Sequence, residues 1–366
     1  MPYYSKNEKY GVNRGNALFY PTEKLVGFYE QYLFTQFVNV EELQKKCSQN
    51  DHKILNIFLK KLGVKDKDPE LKDEVFNIIL PQYEVNGKPI NNTVEEGVKH
   101  LKILLQFYSE CPQNLVDDYV IKLKTIQFLL YKTAEDPEEK YWGKAENLYY
   151  PTEDLLFYFE TKPDTNFVDI EDYQEYIEEK DRQILKEFLL KIGVSELPRI
   201  LDREITDWYE KNNIKAKSGE NLKSGTYGYT EQGAFDKFID GCSEILDNIN
   251  KEKSDNLWTI LNSLSRKYQN FNQELTGKHK YFYYSQQYQY FESTTLTRLK
   301  TTKWLISTTN EFVVPYEITI NELAERYVRN RELEELLEFK SGITLEKEKE
   351  IFVKNLSNEE YLEFKN

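Results

Sequence analysis

Residues 18–64 of this chain recur at residues 148–194 without a gap, and twenty of the forty-seven positions are identical. Leu18-Phe19-Tyr20-Pro21-Thr22-Glu23 falls on Leu148-Tyr149-Tyr150-Pro151-Thr152-Glu153. Phe37-Val38 falls on Phe167-Val168, Asp51 on Asp181, and Gly63-Val64 on Gly193-Val194. Chance does not hold one register over that length, so duplication is the sensible cause. The fold must therefore be one that works as a repeated unit. Stacked units bury a continuous core and leave extended surfaces for partners.

Each copy has a readable local structure. Residues 18–20 are short, aromatic and bounded by proline, which predicts a strand ended by Pro21. Thr22 is an N-cap candidate, Glu23 suits the first turn of a helix, and Leu25, Phe28 and Tyr29 supply its apolar face. Thr152, Glu153, Leu155, Tyr158 and Phe159 do the same in the second copy. A second helix follows, with Ile54, Leu55, Phe58, Leu59 and Leu62 on one face and Asp51 near its start. Gly63 lies past its end, where a left-handed residue is wanted. Ile184, Leu185, Phe188, Leu189, Ile192 and Gly193 repeat the pattern.

A shorter third copy is expected after residue 300. Trp304-Leu305 leads to Phe312-Val313-Val314-Pro315-Tyr316-Glu317-Ile318. Here Pro315 stands for Pro151 and Trp304 for Trp142. Leu333, Leu336, Leu337 and Phe339 suggest the second helix, and Gly342 with Ile343 its stop. Linking helices are expected over residues 94–131 and 235–268, and a loop over residues 215–233. The aromatic block from Tyr281 to Phe291 reads equally as strand or helix. The predicted fold class is α+β, mainly helical with short strands, its duplicated units packed end to end. The units are residues 1–135, 136–300 and a degenerate 301–366.

Composition narrows the class. Hydrophobic residues at 39% and charged residues at 31% predict a folded globular chain, and 366 residues suit two or three domains. Twenty-eight tyrosines and twenty-one phenylalanines allow cores that are amphipathic rather than oily. The net charge of −14 repels a phosphate backbone. The lysines of residues 211–223 form no patch that overcomes it, so neither nucleic acid nor anionic membrane is an expected partner. Cys47, Cys111 and Cys242 are widely spaced, odd in number and without a CxxC pair, which argues against disulfides and zinc. Reduced thiols suggest the cytoplasm. No apolar run of eighteen residues and no signal-peptide core are present, and a helical pattern at residues 362–366 ends abruptly, as in a chain cut from something longer.

The order Leu-Tyr-Tyr-Pro-Thr-Glu at residues 148–153, Phe-Val-Asp at 167–169, the tract from Phe188 to Pro198-Arg199, then Trp304-Leu305 and Pro315 to Ile318 resembles the region downstream of the ATPase in large sacsin-like bacterial proteins. The similarity spans most of the chain. The resemblance implies a GHKL (Bergerat-fold) ATPase module in the parent chain and a chaperone-like or defence-related setting. The module itself is absent from this sequence. None of the fifteen glycines forms Asp-x-Gly-x-Gly, and Gly225-Thr-Tyr-Gly228 is the nearest lid-like piece. No cofactor is therefore expected.

No catalytic or metal-ligating set emerges. His52, His100 and His279 lie at no ligand spacing and read as surface or packing residues. The paired Pro-Thr-Glu turns could hold a ligand, although strand stop plus helix cap explains every residue in them. Carboxylates near lysines recur by accident among 63 acidic residues. Tyr281, Tyr283, Tyr284, Tyr288 and Tyr290 read first as core or interface packing, and as candidate partner-binding residues they could stack on a nucleobase or a proline-rich peptide. Arg199 could place its guanidinium for an ion pair or form a surface salt bridge. The leading expectation is a non-catalytic scaffold or protein-interaction segment. The alternative is a metal-dependent hydrolase or nuclease with unrecognised carboxylate ligands.

Overall fold

The computed structural model describes residues 2–5, 11–12, 14–15, 18–23, 25–26, 36–47, 51–66, 70–84, 93–111, 113–207, 210–211 and 227–340. Helices and small antiparallel sheets are mixed along the chain, which divides into two compact units.

Unit 1 comprises Met1–Lys132, Asp136–Leu148 and Asn166–Val194. Strands β1 (Pro2–Ser5), β2 (Gly11–Val12) and β3 (Gln36–Val38) form one sheet in the order β2-β1-β3. Helices α1 (Val40–Gln44) and α2 (His52–Lys61) follow. Then come the long α3 (Val94–Glu110) and α4 (Gln113–Thr125). Thr93 caps α3 by accepting from the Glu96 amide, and Glu95 and Glu96 face its positive end. Tyr119 on α4 donates to the Leu104 carbonyl of α3 at 2.9 Å, which satisfies a hydroxyl buried between them. A second sheet has the order β5-β4-β6: β4 is Leu129–Lys132, β5 Tyr141–Gly143 and β6 Phe167–Val168. Helices α5 (Ile170–Tyr176) and α6 (Arg182–Ile192) complete the unit, with α6 packed against α3 and α4. Trp142 of β5 lies so close to α3 that a Cβ on Gly97 would sit 2.0 Å from its ring.

Unit 2 comprises Thr133–Glu135, Tyr149–Thr165 and Ser195–Asn366. A four-stranded antiparallel sheet has the order β10-β9-β8-β7, where β7 is Ile200–Glu204, β8 Tyr229–Ile239, β9 Thr276–Tyr283 and β10 Ser285–Glu292. A bulge between Glu231 and Gly233 shifts the β8–β9 register. Helices α7 (Cys242–Asp247), α8 (Lys251–Lys267) and α9 (Thr294–Thr301) accompany it. The buried Asp236 of β8 accepts from the Thr294 amide at 3.1 Å and so ties the start of α9 to the sheet. The hairpin β11 (Leu305–Ile306) and β12 (Phe312–Val313) and helix α10 (Arg331–Leu336) close the unit, with α10 against α8.

One set of backbone bonds is made twice, 130 residues apart. The Tyr20 amide donates to Lys65 O and the Tyr150 amide to Ser195 O, both at 2.8 Å. Thr22 Oγ1 accepts from the Leu25 amide at 3.1 Å, and Thr152 Oγ1 from the Leu155 amide at 3.2 Å. Val64 donates to Leu59 O and Val194 to Leu189 O. Gly63 and Gly193 take φ of 85° and 117°, the left-handed region expected of a helix stop.

A third, partial set lies in unit 2. The Lys340 amide donates to Ile318 O, as Lys65 does to Leu18 O. Phe19, Tyr149 and Thr319 each form a parallel bridge, to Lys65, Ser195 and Lys340, and Phe19 forms a second one to Phe37. Tyr327 Oη accepts from the Ile306 amide, as Tyr173 Oη does from Leu130. Glu338, with φ 55°, occupies the place of the two glycines.

Several expectations change on this description. Residues 18–20 make isolated bridges at Phe19, to Phe37 and Lys65, rather than a regular strand, because Pro21 cannot extend a ladder. Thr319 rather than Pro315 takes the bridging position, so Pro315 stands where Ala145 does, at the start of a 3₁₀ turn. Trp142 is in the second strand of its hairpin whereas Trp304 precedes the first, so the two are not counterparts. Residues 129–131 and 235–239 are strand, not linking helix, and residues 229–233 are strand, not loop. Phe28, Tyr29, Gly342, Ile343 and residues 212–226 lie outside the described residues.

Candidate partner-binding surface

The aromatic block resolves into the hairpin β9–β10, and strand alternation sorts its residues onto two faces. His279, Tyr281 and Phe291 point inward and are buried, with the His279 and Tyr281 rings stacked at 5.4 Å. Gly277 is required on that face, since a Cβ there would lie 2.4 Å from the Phe291 ring. The opposite face carries Lys278, Lys280 and Phe282 of β9 and Tyr288 and Tyr290 of β10. Tyr288 pairs with Lys280 and Tyr290 with Lys278. The Lys278 ammonium sits 6.0 Å from the centroid of Phe235 on β8. Phe282, Tyr288 and Tyr290 are 41%, 46% and 64% exposed, so three large rings and two ammonium groups share one solvent-facing sheet surface.

The five tyrosines singled out from sequence therefore do not form one group. Tyr288 and Tyr290 lie on the open face, and Tyr281 belongs to the interior. Tyr283 packs edge-on against Tyr284 at the end of the hairpin. Tyr284 is 66% exposed and holds φ at 56°, an unusual state for a bulky residue. Arg199 is elsewhere. It precedes β7, at the other edge of the sheet from β10, with its guanidinium 4.3 Å over the Tyr149 ring. Phe282, Lys278 and Lys280 were missed by sequence reasoning. The alternation Gly-Lys-His-Lys-Tyr-Phe at residues 277–282 was the signal that could have found them.

A buried polar cluster adjoins Arg199. Asp240 accepts from Tyr149 Oη at 2.6 Å and from Lys162 Nζ at 2.5 Å, and its amide donates to Arg199 O. Burial, then the neighbouring Asp240 carboxylate, pushes the Tyr149 hydroxyl well above its ordinary range. The group is thus a neutral donor locked in place, suited to holding structure. In unit 1 the buried Asp169 lies 3.5 Å from both Lys132 and Lys140, which also pair with Glu171 and Asp172. Among the described residues no group of three or more His, Cys, Asp or Glu side chains is placed to hold a metal ion. Burial raises the Cys242 thiol to about 12, which removes it as a nucleophile near neutral pH.

No protein family, no curated protein and no solved structure matches this chain. Among the described residues no helix is long and apolar enough to cross a membrane.

Proposed function

We propose that the chain is a non-catalytic protein-interaction segment that binds an extended peptide stretch of its partner on the open face of β9–β10. The observation that carries this reading is the joint exposure of Phe282, Tyr288 and Tyr290 beside Lys278 and Lys280. Large rings in the open lose apolar burial, and a partner recovers it. The lysines give the face a local positive character within a chain of net charge −14, which favours acidic or aromatic-rich peptides.

The chain is further proposed to consist of three variants of one unit, two derived by duplication and the third degenerate. The recurring backbone bonds and the left-handed stops support this. In the same proposal the segment belongs to a sacsin-like, ATPase-linked protein of the cytoplasm, chaperone-like or defence-related, with the energy source in another module. The residues at 148–153, 188–199 and 304–318 support that link.

Two measurements test the functional reading. A panel of extended twelve-residue peptides is screened against the whole chain by fluorescence anisotropy. The Tyr288→Ala/Tyr290→Ala variant should bind the selected peptides at least tenfold more weakly, with an unchanged melting temperature. Equal binding would move the site elsewhere. Calorimetric titration with ATP and magnesium, then with manganese alone, should give no heat. Stoichiometric binding in either would contradict a non-catalytic role.

A further inference from the structure

The closing helices of the three repeat copies differ in what covers them, and the difference locates a second docking surface. Phe188 and Ile192 of α6 are both fully buried, and α3 and α4 pack on that helix, with the Tyr108 ring 5.2 Å from Phe188. Leu333 and Leu337, at the same distances before the left-handed stop of α10, are also fully buried, and α8 packs there. In both cases the covering helices precede the repeat copy in sequence. The counterparts on α2 are Phe58 and Leu62, which are 54% and 44% exposed. Ile54 and Ile57 extend the same stripe at 62% and 58%. Positions 54, 57, 58, 61 and 62 follow the i, i+3, i+4, i+7, i+8 spacing of one helix face. Leu59, on the other side, is buried in the unit's own core with Leu18, Val38, Val40 and Val64. Among the described residues the helix thus has a filled inner face and an uncovered outer one.

We infer that the outer face of α2 is the docking site for an amphipathic helix of a partner polypeptide, seated as α3 and α4 are seated on α6. This rests on the three-unit reading above. The charge around the stripe specifies the partner further. Helix α2 has the sequence HKILNIFLKK with no acidic residue; Lys53 and Lys61 are exposed, while Lys60 pairs with Asp66 beyond the helix. The partner helix therefore presents leucine and aromatic side chains bordered by carboxylates. A second copy of this strongly acidic chain is disfavoured by its own net charge.

The test uses the whole chain and a fluorescein-labelled synthetic peptide of residues 94–110 carrying Lys99→Glu and Lys102→Glu. Anisotropy should report saturable binding. Phe58→Asp should weaken it at least tenfold, while the melting temperature of that variant stays within a few degrees of the parent. Absence of binding, or equal binding by Phe58→Asp, would overturn the assignment. So would a Phe58-dependent dimer in sedimentation, which would give the face to a second copy. Failure of the three-unit reading shows separately, as a loss of stability in Glu338→Gly. Phe58-dependent peptide binding alongside that loss would still sustain the docking site.

Discussion

At the scale of single residues, the structure separates side chains that look alike in sequence. Tyr281 and Tyr288 stand in one aromatic tract, but one is buried and the other exposed. Tyr281→Ala should cost about 3 kcal/mol or more, by analogy with other buried aromatics. Tyr288→Ala should stay within about 0.5 kcal/mol. Denaturant midpoints of the two variants check this. Histidine offers a pH test. His100 is buried on α3, with Tyr83 Oη 3.0 Å from its Nδ1. Burial lowers its pKa from 6.5 to about 4, opposed by attraction from Glu96 and slightly reinforced by Lys99. The unfolded chain therefore takes up this proton first on acidification. The contribution is complete above pH 6.5 and is lost as pH falls through the folded value near 4. Its full size is about 3 kcal/mol. His100→Gln keeps a polar partner for Tyr83 and should show a smaller drop between pH 7 and pH 4.5. The histidines were legible only as surface or packing residues, without distinction between the two. That His100 and His279 are buried was not, because no local pattern reveals which distant side chains close over them.

At the scale of elements, periodicity marks α2 and α6 equally well, with the same apolar positions and the same stop. What it cannot state is how many sides of a helix are covered. An apolar arc as wide as Ile54, Leu55, Phe58, Leu59 and Leu62 suits burial from two directions. In α6 both are occupied, and in α2 only one is. Phe188→Ala should consequently cost about 3–5 kcal/mol, and Phe58→Ala less than about 1 kcal/mol, when unfolding is followed by denaturant titration. The sheets were less legible than the helices. Residues 281–291 satisfy strand and helix spacing alike, and the bulge at Glu231 and Gly233 breaks the alternation that would have marked β8. The open face of β9–β10 followed only once the register was known, since register decides which alternate residues meet solvent.

At the scale of the whole molecule, the central claim is that one structural unit is used three times and that its surfaces, rather than a catalytic centre, carry the function. The first two uses are proposed because tracts that share twenty of forty-seven residues lie 130 residues apart. The third was legible only in part. Its stop was expected at Gly342, whereas Glu338 takes the left-handed position and pairs with Lys300 at 2.8 Å. A glutamate there departs from the residue type that the position favours, which is why the sequence pointed four residues too far. The most direct measurement is denaturant unfolding of Gly63→Ala, Gly193→Ala and Glu338→Gly side by side. If all three are the same stop, both glycine variants should lose about 1 kcal/mol. Glu338→Gly should gain about 0.5 kcal/mol, because the buried Lys300 keeps Glu292 as a partner and relief of the backbone exceeds the loss of its second, solvent-facing carboxylate. A loss of stability in Glu338→Gly, or unchanged stability in either glycine variant, would contradict the three-unit account.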